Sequence, residues 1–438
     1  GFAFFSALYS LWGGMKAVAW TDVFNVVVLI LGGLITTAFA LIALSDGKGI
    51  LAGFSELLSK APEKFHMIIE RGTRQVPDGS GGFKDAFLDL PGLGVVIGSM
   101  WLTNIGFWGF NQFIIQRGLA GKSLKEAQHG VAFAGYLKLL VPLLVVIPGI
   151  SVYALGIKLG KSDEAYPWLI ANIVPAGIAG LSFAAIAAAA VSSISSLVNS
   201  TSTIFTIDIY KSFLNRNASE KQLVRTGRIT ALAALIISTA IAPKLVSLDQ
   251  AYQYIQEYTG YIYPGTFLIF FCGLFWRKAT ANAALWTAIL TIPLGILFKV
   301  LNPGMPFIIR IGYVFILLSF VMIGMSLLDR KHSIDNAPGN MSVKKAGLGI
   351  RIIAVAMFVG TIVAFFVREY RDFALDAVYV LVAGFILLGL IVLLNNSQKK
   401  IDAQGIIISD GIFKTTATFN IAAIGVVGIL AMLYTVFW

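Results

Sequence analysis

The sequence predicts an all-α polytopic membrane protein, and three observations carry that prediction. Hydrophobic residues make up 57% of the chain and charged residues 13%, with a mean hydropathy of +0.83. The apolar residues fall into runs of about 20 or more, the length a helix needs to cross a bilayer. The Lys and Arg residues between those runs gather in alternate loops, as they do in multi-pass membrane proteins. Eleven spans follow, roughly 17–44, 93–119, 127–155, 177–206, 223–246, 250–276, 281–301, 307–328, 348–367, 375–394 and 418–438.

Charge orients these spans. Counting loops from the one after the first span, the even loops hold 18 Lys and Arg, among them Arg117, Lys122 and Lys125. The odd loops hold eleven, six of them in the long loop 45–92, where the charge rule does not count. The even loops are therefore expected to be cytoplasmic and the N-terminus inside. The net charge of +11 reports topology, so nucleic acid is not expected as a partner. One cysteine, Cys272, excludes an internal disulfide, and His66, His129 and His332 are too scattered for a zinc site. No organic cofactor is called for. There is no H-E-x-x-H and no G-x-S-x-G, so an intramembrane enzyme is disfavoured.

Taken in order, the chain starts inside an apolar run, GFAFFSALYSLWGG, without an initiator Met or a signal-peptide layout. It reads as the end of an earlier helix, with preceding spans missing. Asp22 stands near the start of the first span, either as a functional carboxylate or as an interfacial residue with Thr21 as a cap. In the outer loop, Ile50 to Ile69 is amphipathic and Asp78 to Gly82 is Gly-rich, which predicts a surface helix and a tether.

The second span is the most unusual. Asn104, Gly106, Gly109, Asn111 and Gln112 interrupt the run WLTNIGFWGFNQFIIQR. Asn104, Trp108, Asn111 and Gln112 fall at i, i+4, i+7 and i+8, one helical face. Polar or irregular backbone at membrane depth survives only where protein or a water-filled cavity covers it. A broken helix at a binding site is one reading, with the break between Thr103 and Gly109. A Gly-rich packing face with amides bonding between helices is the other. Lys138, mid-way along the third span, is expected to face the bundle interior with a partner.

The fourth span, FAAIAAAAVSSISSLVNSTSTIFT, is dominated by small residues, the mark of close helix packing. Within it Ala189, Ser192 and Ser193 stand at i, i+3 and i+4. One carbonyl and two hydroxyls on one face offer a small hard cation such as Na⁺ three oxygen ligands. Serines bonding their own i−4 carbonyls are the bland alternative. In the sixth span Tyr252, Gln256, Thr259 and Tyr263 fall at i, i+4, i+7 and i+11, a stripe with hydrogen bonds for hydroxyls and ring faces for C–H surface. An interface stripe remains the alternative. Glu257 carries no assignment.

These segments together resemble the sodium:solute symporter family, most closely its bacterial sodium/galactose (sodium/glucose) cotransporters. The similar stretches are GGMKAVAWTD, WGFNQFIIQR, FAGYLKLLVP, VSSISSLVNSTSTIFTIDIYK, QYIQEYTG and GLFWRKAT, in order through residues 13–280. The resemblance implies a LeuT-type five-plus-five inverted repeat, incomplete at the N-terminus and followed by extra C-terminal helices. Residues 1–44 would end the first repeat, as the tail of its fourth helix and the fifth core helix. Residues 45–92 would be an extracellular loop, 93–276 the second repeat, and 277–438 additional spans, of which the two near 348–394 match nothing in the sugar transporters.

Residue by residue, Asn104, Lys138 and Gln256 match positions that hydrogen-bond the sugar. Ala189, Ser192 and Ser193 match sodium ligands, and Asp22 an acidic residue near that site. Trp108 matches an aromatic beside the sugar. Tyr252 stands at an outer-gate position occupied by Phe in those transporters, and Phe107 at an inner-gate position occupied by Tyr. The implied activity is uptake of a sugar driven by inward Na⁺ flow, in a bacterial inner (plasma) membrane, with the lipid bilayer, Na⁺ and the solute as partners. A polyol, an amino acid or sialic acid as solute, or a transporter-like membrane sensor, are the alternatives.

Overall fold

The computed structural model describes residues 2–77, 82–89, 92, 99–245, 251–276, 279–302, 305–328 and 415–437. Seven stretches within them are long and apolar enough to cross a membrane: Val18–Leu44, Leu124–Ala154, Ala176–Leu214, Glu220–Pro243, Ala281–Leu301, Phe307–Leu328 and Ala417–Val436. The spans expected at 348–367 and 375–394 lie outside the described residues. The described helices are α1 (Phe2–Leu44), α2 (Ile50–Lys60), α3 (Ser99–Ile105), α4 (Gln112–Leu119), α5 (Leu124–Leu139), α6 (Ile147–Ala154), α7 (Ala165–Asn172), α8 (Ala176–Ile204), α9 (Glu220–Leu245), α10 (Ala251–Gly260), α11 (Tyr263–Phe275), α12 (Ala281–Leu301), α13 (Phe307–Leu328) and α14 (Ala417–Val436).

The chain forms two compact units, one of Gly1–Met67, Gln112–Ala251 and Ala417–Trp438, the other of Ile68–Asn111 and Tyr252–Thr416. In the first, α1 packs along α8 through small residues. A Cβ added at Gly32 would stand 2.8 Å from the Ala185 Cβ, and the Thr36 and Ser182 hydroxyls bond at 2.9 Å. The Thr37 hydroxyl donates to the Leu143 carbonyl at 2.6 Å, tying in the π-turn Pro142–Val146 between α5 and α6. Local sequence starts the helices. Ser123 accepts from the Glu126 amide at α5, and Ser219 and Gln222 form a reciprocal capping box before α9.

Residues 2–44 form one helix with no intervening turn, because the stretch contains no proline to remove a ladder hydrogen bond. The Ser6 hydroxyl donates to the Val191 carbonyl and Asp22 meets the neighbouring Ser192. The expected helix start near Thr21 is absent: the Thr21 hydroxyl donates to the Val18 carbonyl inside the helix, at 2.9 Å.

In the second unit, α3, α11, α12 and α13 surround a core that includes Leu102, Phe267, Phe271, Val314, Phe315 and Leu318. α12 offers Ala283, Thr287, Thr291 and Gly295, all buried, at every fourth position. The threonine hydroxyls are satisfied by carbonyls one turn back, at 2.7 and 2.5 Å. Before α3 the loop 45–92 is more ordered than a tether: β1 (Gln75–Pro77) and β2 (Phe83–Asp85) pair antiparallel with Val76 opposite Lys84. Asp85 fastens this hairpin by accepting from the Gly72 amide at 2.7 Å and the Phe87 amide at 3.0 Å. Residues 78–81, most of the expected tether, lie outside the described residues.

Candidate functional site

The interrupted span is broken, three steps along the chain. α3 ends at Ile105, the ladder widens to a π-turn over Gly106–Phe110, and Asn111 is extended (φ −84°, ψ 115°) before α4 begins. Departure from α geometry starts inside the expected interval, but the interruption itself falls at Asn111, two residues beyond Gly109. Gly106 starts the widening for a steric reason as well. A Cβ there would come within 2.7 Å of the Tyr263 ring. The boundary between the two units also falls here, between Asn111 and Gln112. Asn111 and Gln112 therefore do not share one continuous face with Asn104.

Asn104 is exposed, and its amide donates to the Met100 carbonyl at 2.8 Å, so its acceptor oxygen remains for other partners. Phe107, half-buried, meets Trp108 edge to face at 5.5 Å between centroids. In the same unit Tyr252 is 75% exposed and Gln256 half-buried on α10. The expected stripe ends early. α10 stops at Gly260, the chain turns through Tyr261 and Ile262, and Tyr263 opens α11 with its ring buried against Gly106. Lys138 belongs to the other unit, in the last turn of α5, and is exposed rather than interior within that unit.

In the first unit Ala189 and Ser192 are half-buried and Ser193 is exposed, on consecutive turns of α8. Ser195 and Ser196 do what serines in helices commonly do, donating to the Val191 and Ser192 carbonyls at 2.7 and 2.9 Å. Ser192 does not. Its hydroxyl leaves the helix and donates to one carboxylate oxygen of Asp22. The other oxygen accepts from Arg117 Nε at 3.0 Å and from its Nη2 at 2.6 Å. The same guanidinium donates to the Ser196 hydroxyl, which closes a ring from Asp22 through Ser192 and Ser196 to Arg117 and back. Gln116 extends it, donating to the Ser196 carbonyl at 3.4 Å and accepting from Asn199 at 3.2 Å. The arrangement gathers hard oxygen donors around one negative charge that a single arginine now neutralises.

Arg117 is the residue whose partner sequence reasoning missed. Counted as a cytoplasmic loop charge, it lies on α4 with its head group on Asp22. Its place at the end of the similar stretch WGFNQFIIQR was the available signal. Glu257, left unassigned, is held by Arg310 at 2.5 Å and Lys299 at 2.9 Å. Among the described residues no group of three or more His, Cys, Asp or Glu is arranged to hold a metal.

A broken helix, small-residue helix packing and an oxygen-rich face on a helical membrane protein point to a secondary transporter. Known proteins agree. The family model for the sodium:solute symporter family matches residues 2–291. The chain is 37% identical over 455 residues to a sodium/glucose cotransporter of Vibrio parahaemolyticus, covering 100% of this chain and 69% of that protein. It is 31% identical over 318 residues to sodium/myo-inositol cotransporter 2 of Oryctolagus cuniculus, covering 68% of this chain but only 46% of that one. A solved Na⁺-coupled sialic acid symporter, in a substrate-bound outward-open state, superposes with a TM-score of 0.58 at 22% identity over 74% of this chain and 65% of its own. The chain belongs to the sodium:solute symporter family. Its fold is of the LeuT type, as the resemblance implied.

Proposed function

We propose that the protein couples inward Na⁺ flow to uptake of a sugar such as galactose or glucose, by alternating access across a bacterial inner (plasma) membrane. One observation supports this most: the Ser192 hydroxyl is turned out of its helix onto Asp22, on the face that also carries Ala189 and Ser193. Na⁺ entering there would take oxygens from that face and compete with Arg117 for the carboxylate. Coupling requires only that Na⁺ bind the outward-open and inward-open states unequally. Asn104, Lys138 and Gln256 are the proposed sugar contacts, with Phe107, Trp108 and Tyr252 as ring faces.

A polyol is the second reading, because a relative of this chain is named for myo-inositol; Phe107 offers either solute its ring but no gate hydroxyl.

The test is Na⁺-driven uptake in proteoliposomes of the full-length protein. Ser193→Ala removes a proposed cation ligand, whereas Ala in place of a packing serine is nearly neutral. It is expected to raise the Na⁺ concentration for half-maximal uptake about tenfold, with sugar affinity at saturating Na⁺ little changed. An unchanged Na⁺ dependence would mean that the serines only pack. Uptake of myo-inositol with no competition from hexoses would replace the sugar by the polyol.

A further inference from the structure

α10 has ten residues, ends at Gly260, and is too short to be stable as an isolated helix. What surrounds it decides where its side chains point. Two side-chain polar contacts do so, and both are on one face. Gln253 donates to Asp89 at 2.5 Å, and that carboxylate also takes Lys84 of β2 at 2.6 Å. One turn further on, Glu257 accepts from Arg310 of α13 at 2.5 Å and pairs with Lys299 of α12 at 2.9 Å. Arg310 has only 5% of its side chain exposed, so its charge depends on Glu257. Its guanidinium also lies 5.2 Å from the Tyr261 ring, in the turn where α10 ends, and that ring fills the space above Gly295, where a Cβ would stand 2.3 Å away.

Gln253 and Glu257 are i and i+4, and so are Tyr252 and Gln256. Each member of the second pair precedes a member of the first by one residue, a rotation of about 100° around the helix axis. One face is therefore fastened at two points, to the hairpin of loop 45–92 and to α12 and α13. The adjacent face carries the proposed gate aromatic and the proposed sugar contact.

We propose that Gln253 and Glu257 are positioning residues for solute recognition, two clamps that fix the rotation of α10 and so set the direction of Tyr252 and Gln256. This rests on the reading that those two residues meet the solute. Neither clamp touches solute. Their effect is to remove alternative orientations of α10 before the solute arrives, so that the hydrogen bond from Gln256 is made without a prior reorganisation.

The experiment uses the full-length protein in proteoliposomes, with Cys272→Ala and a nitroxide spin label on Tyr252→Cys. Glu257→Gln and Gln253→Ala are each expected to make the label spectrum more mobile than it is in the otherwise unmutated labelled protein. Without the label and its cysteine, each variant is expected to raise the KM for Na⁺-driven galactose uptake about tenfold at saturating Na⁺, the factor for roughly one hydrogen bond. The half-saturating Na⁺ concentration should stay within about twofold. A pair that merely stabilises the fold would lower the amount of active protein and leave both KM and spectrum alone, which would overturn the proposal. If Glu257→Gln does not fold, Gln253→Ala, which leaves the ion pair intact, decides through the same two readouts. If the unmutated protein takes up neither galactose nor glucose, the sugar reading fails, and the label spectrum alone decides on the clamps.

Discussion

Asp22 and Glu257 are both carboxylates that meet an arginine, and the two are held in opposite ways. Glu257 faces two cations, and its arginine is buried with 5% of its side chain exposed. Asp22 faces one arginine that is 37% exposed, and shares itself with a serine hydroxyl on a helix of small residues. A buried guanidinium cannot give up its counter-charge without a large desolvation cost, whereas an exposed one can turn to water. Glu257 is thus a fixed tie between helices. Asp22 is a carboxylate whose partner can be exchanged, as the proposed Na⁺ site requires.

The largest expected effect tests that asymmetry on stability. Glu257→Gln leaves Arg310 without a full counter-charge and should destabilise the protein by about 3 kcal/mol, the lower end for breaking a buried pair. Asp22→Asn removes the partner of an exposed arginine and should cost about 1 kcal/mol or less. Thermal unfolding of the two variants, side by side in the same detergent, measures both. Equal losses would erase the distinction between tie and exchangeable site.

An intermediate effect reads the exchange itself. Asp22→Asn keeps the shape and the hydrogen bond to Ser192 but loses the charge. The Na⁺ concentration for half-maximal uptake should rise about fivefold, roughly 1 kcal/mol of binding, while Glu257→Gln should leave it within about twofold. Uptake against Na⁺ concentration provides the measurement. If Asp22→Asn has the Na⁺ dependence of the unmutated protein, Asp22 is a second structural tie and the comparison collapses.

How much of this was readable beforehand follows the range of the interaction. Hydropathy gave the long helices, and amides with glycines between Asn104 and Gln112 marked the broken one, because both signals are local. The α-ladder yields at Gly106, inside the expected interval, but the full interruption comes at Asn111, and the reason for the start, the Tyr263 ring that needs room, is far away in sequence. Spacing on α8 singled out Ser192, while Asp22 came to it by resemblance to a family. Arg117 went unrecognised because its partner is 95 residues away and a charge at a span end looks like a topology signal. Arg310, 53 residues from Glu257, was invisible for the same reason. The hairpin before α3 was missed because strands of three residues carry no periodicity, and the stripe on α10 was overextended because its helical spacing was followed past two local stop signals, Gly260 at the end of α10 and Pro264 in the first turn of α11.

The smallest effect separates the two cations on Glu257. Lys299 has 44% of its side chain exposed, against 5% for Arg310, so water can replace most of what the ammonium gives and takes. Lys also holds its charge at a single rotatable point, whereas the guanidinium is a planar fork that fixes direction. If Arg310 carries the tie, Lys299→Gln should cost no more than about 0.5 kcal/mol and leave a spin label at Tyr252→Cys as immobile as before. Arg310→Lys, which keeps the charge but not the fork, should then cost more than Lys299→Gln and loosen the label. Were Lys299→Gln the more damaging of the two in unfolding and in label mobility, Glu257 would be held by its exposed partner. It would then belong with Asp22 among the carboxylates that can change partners.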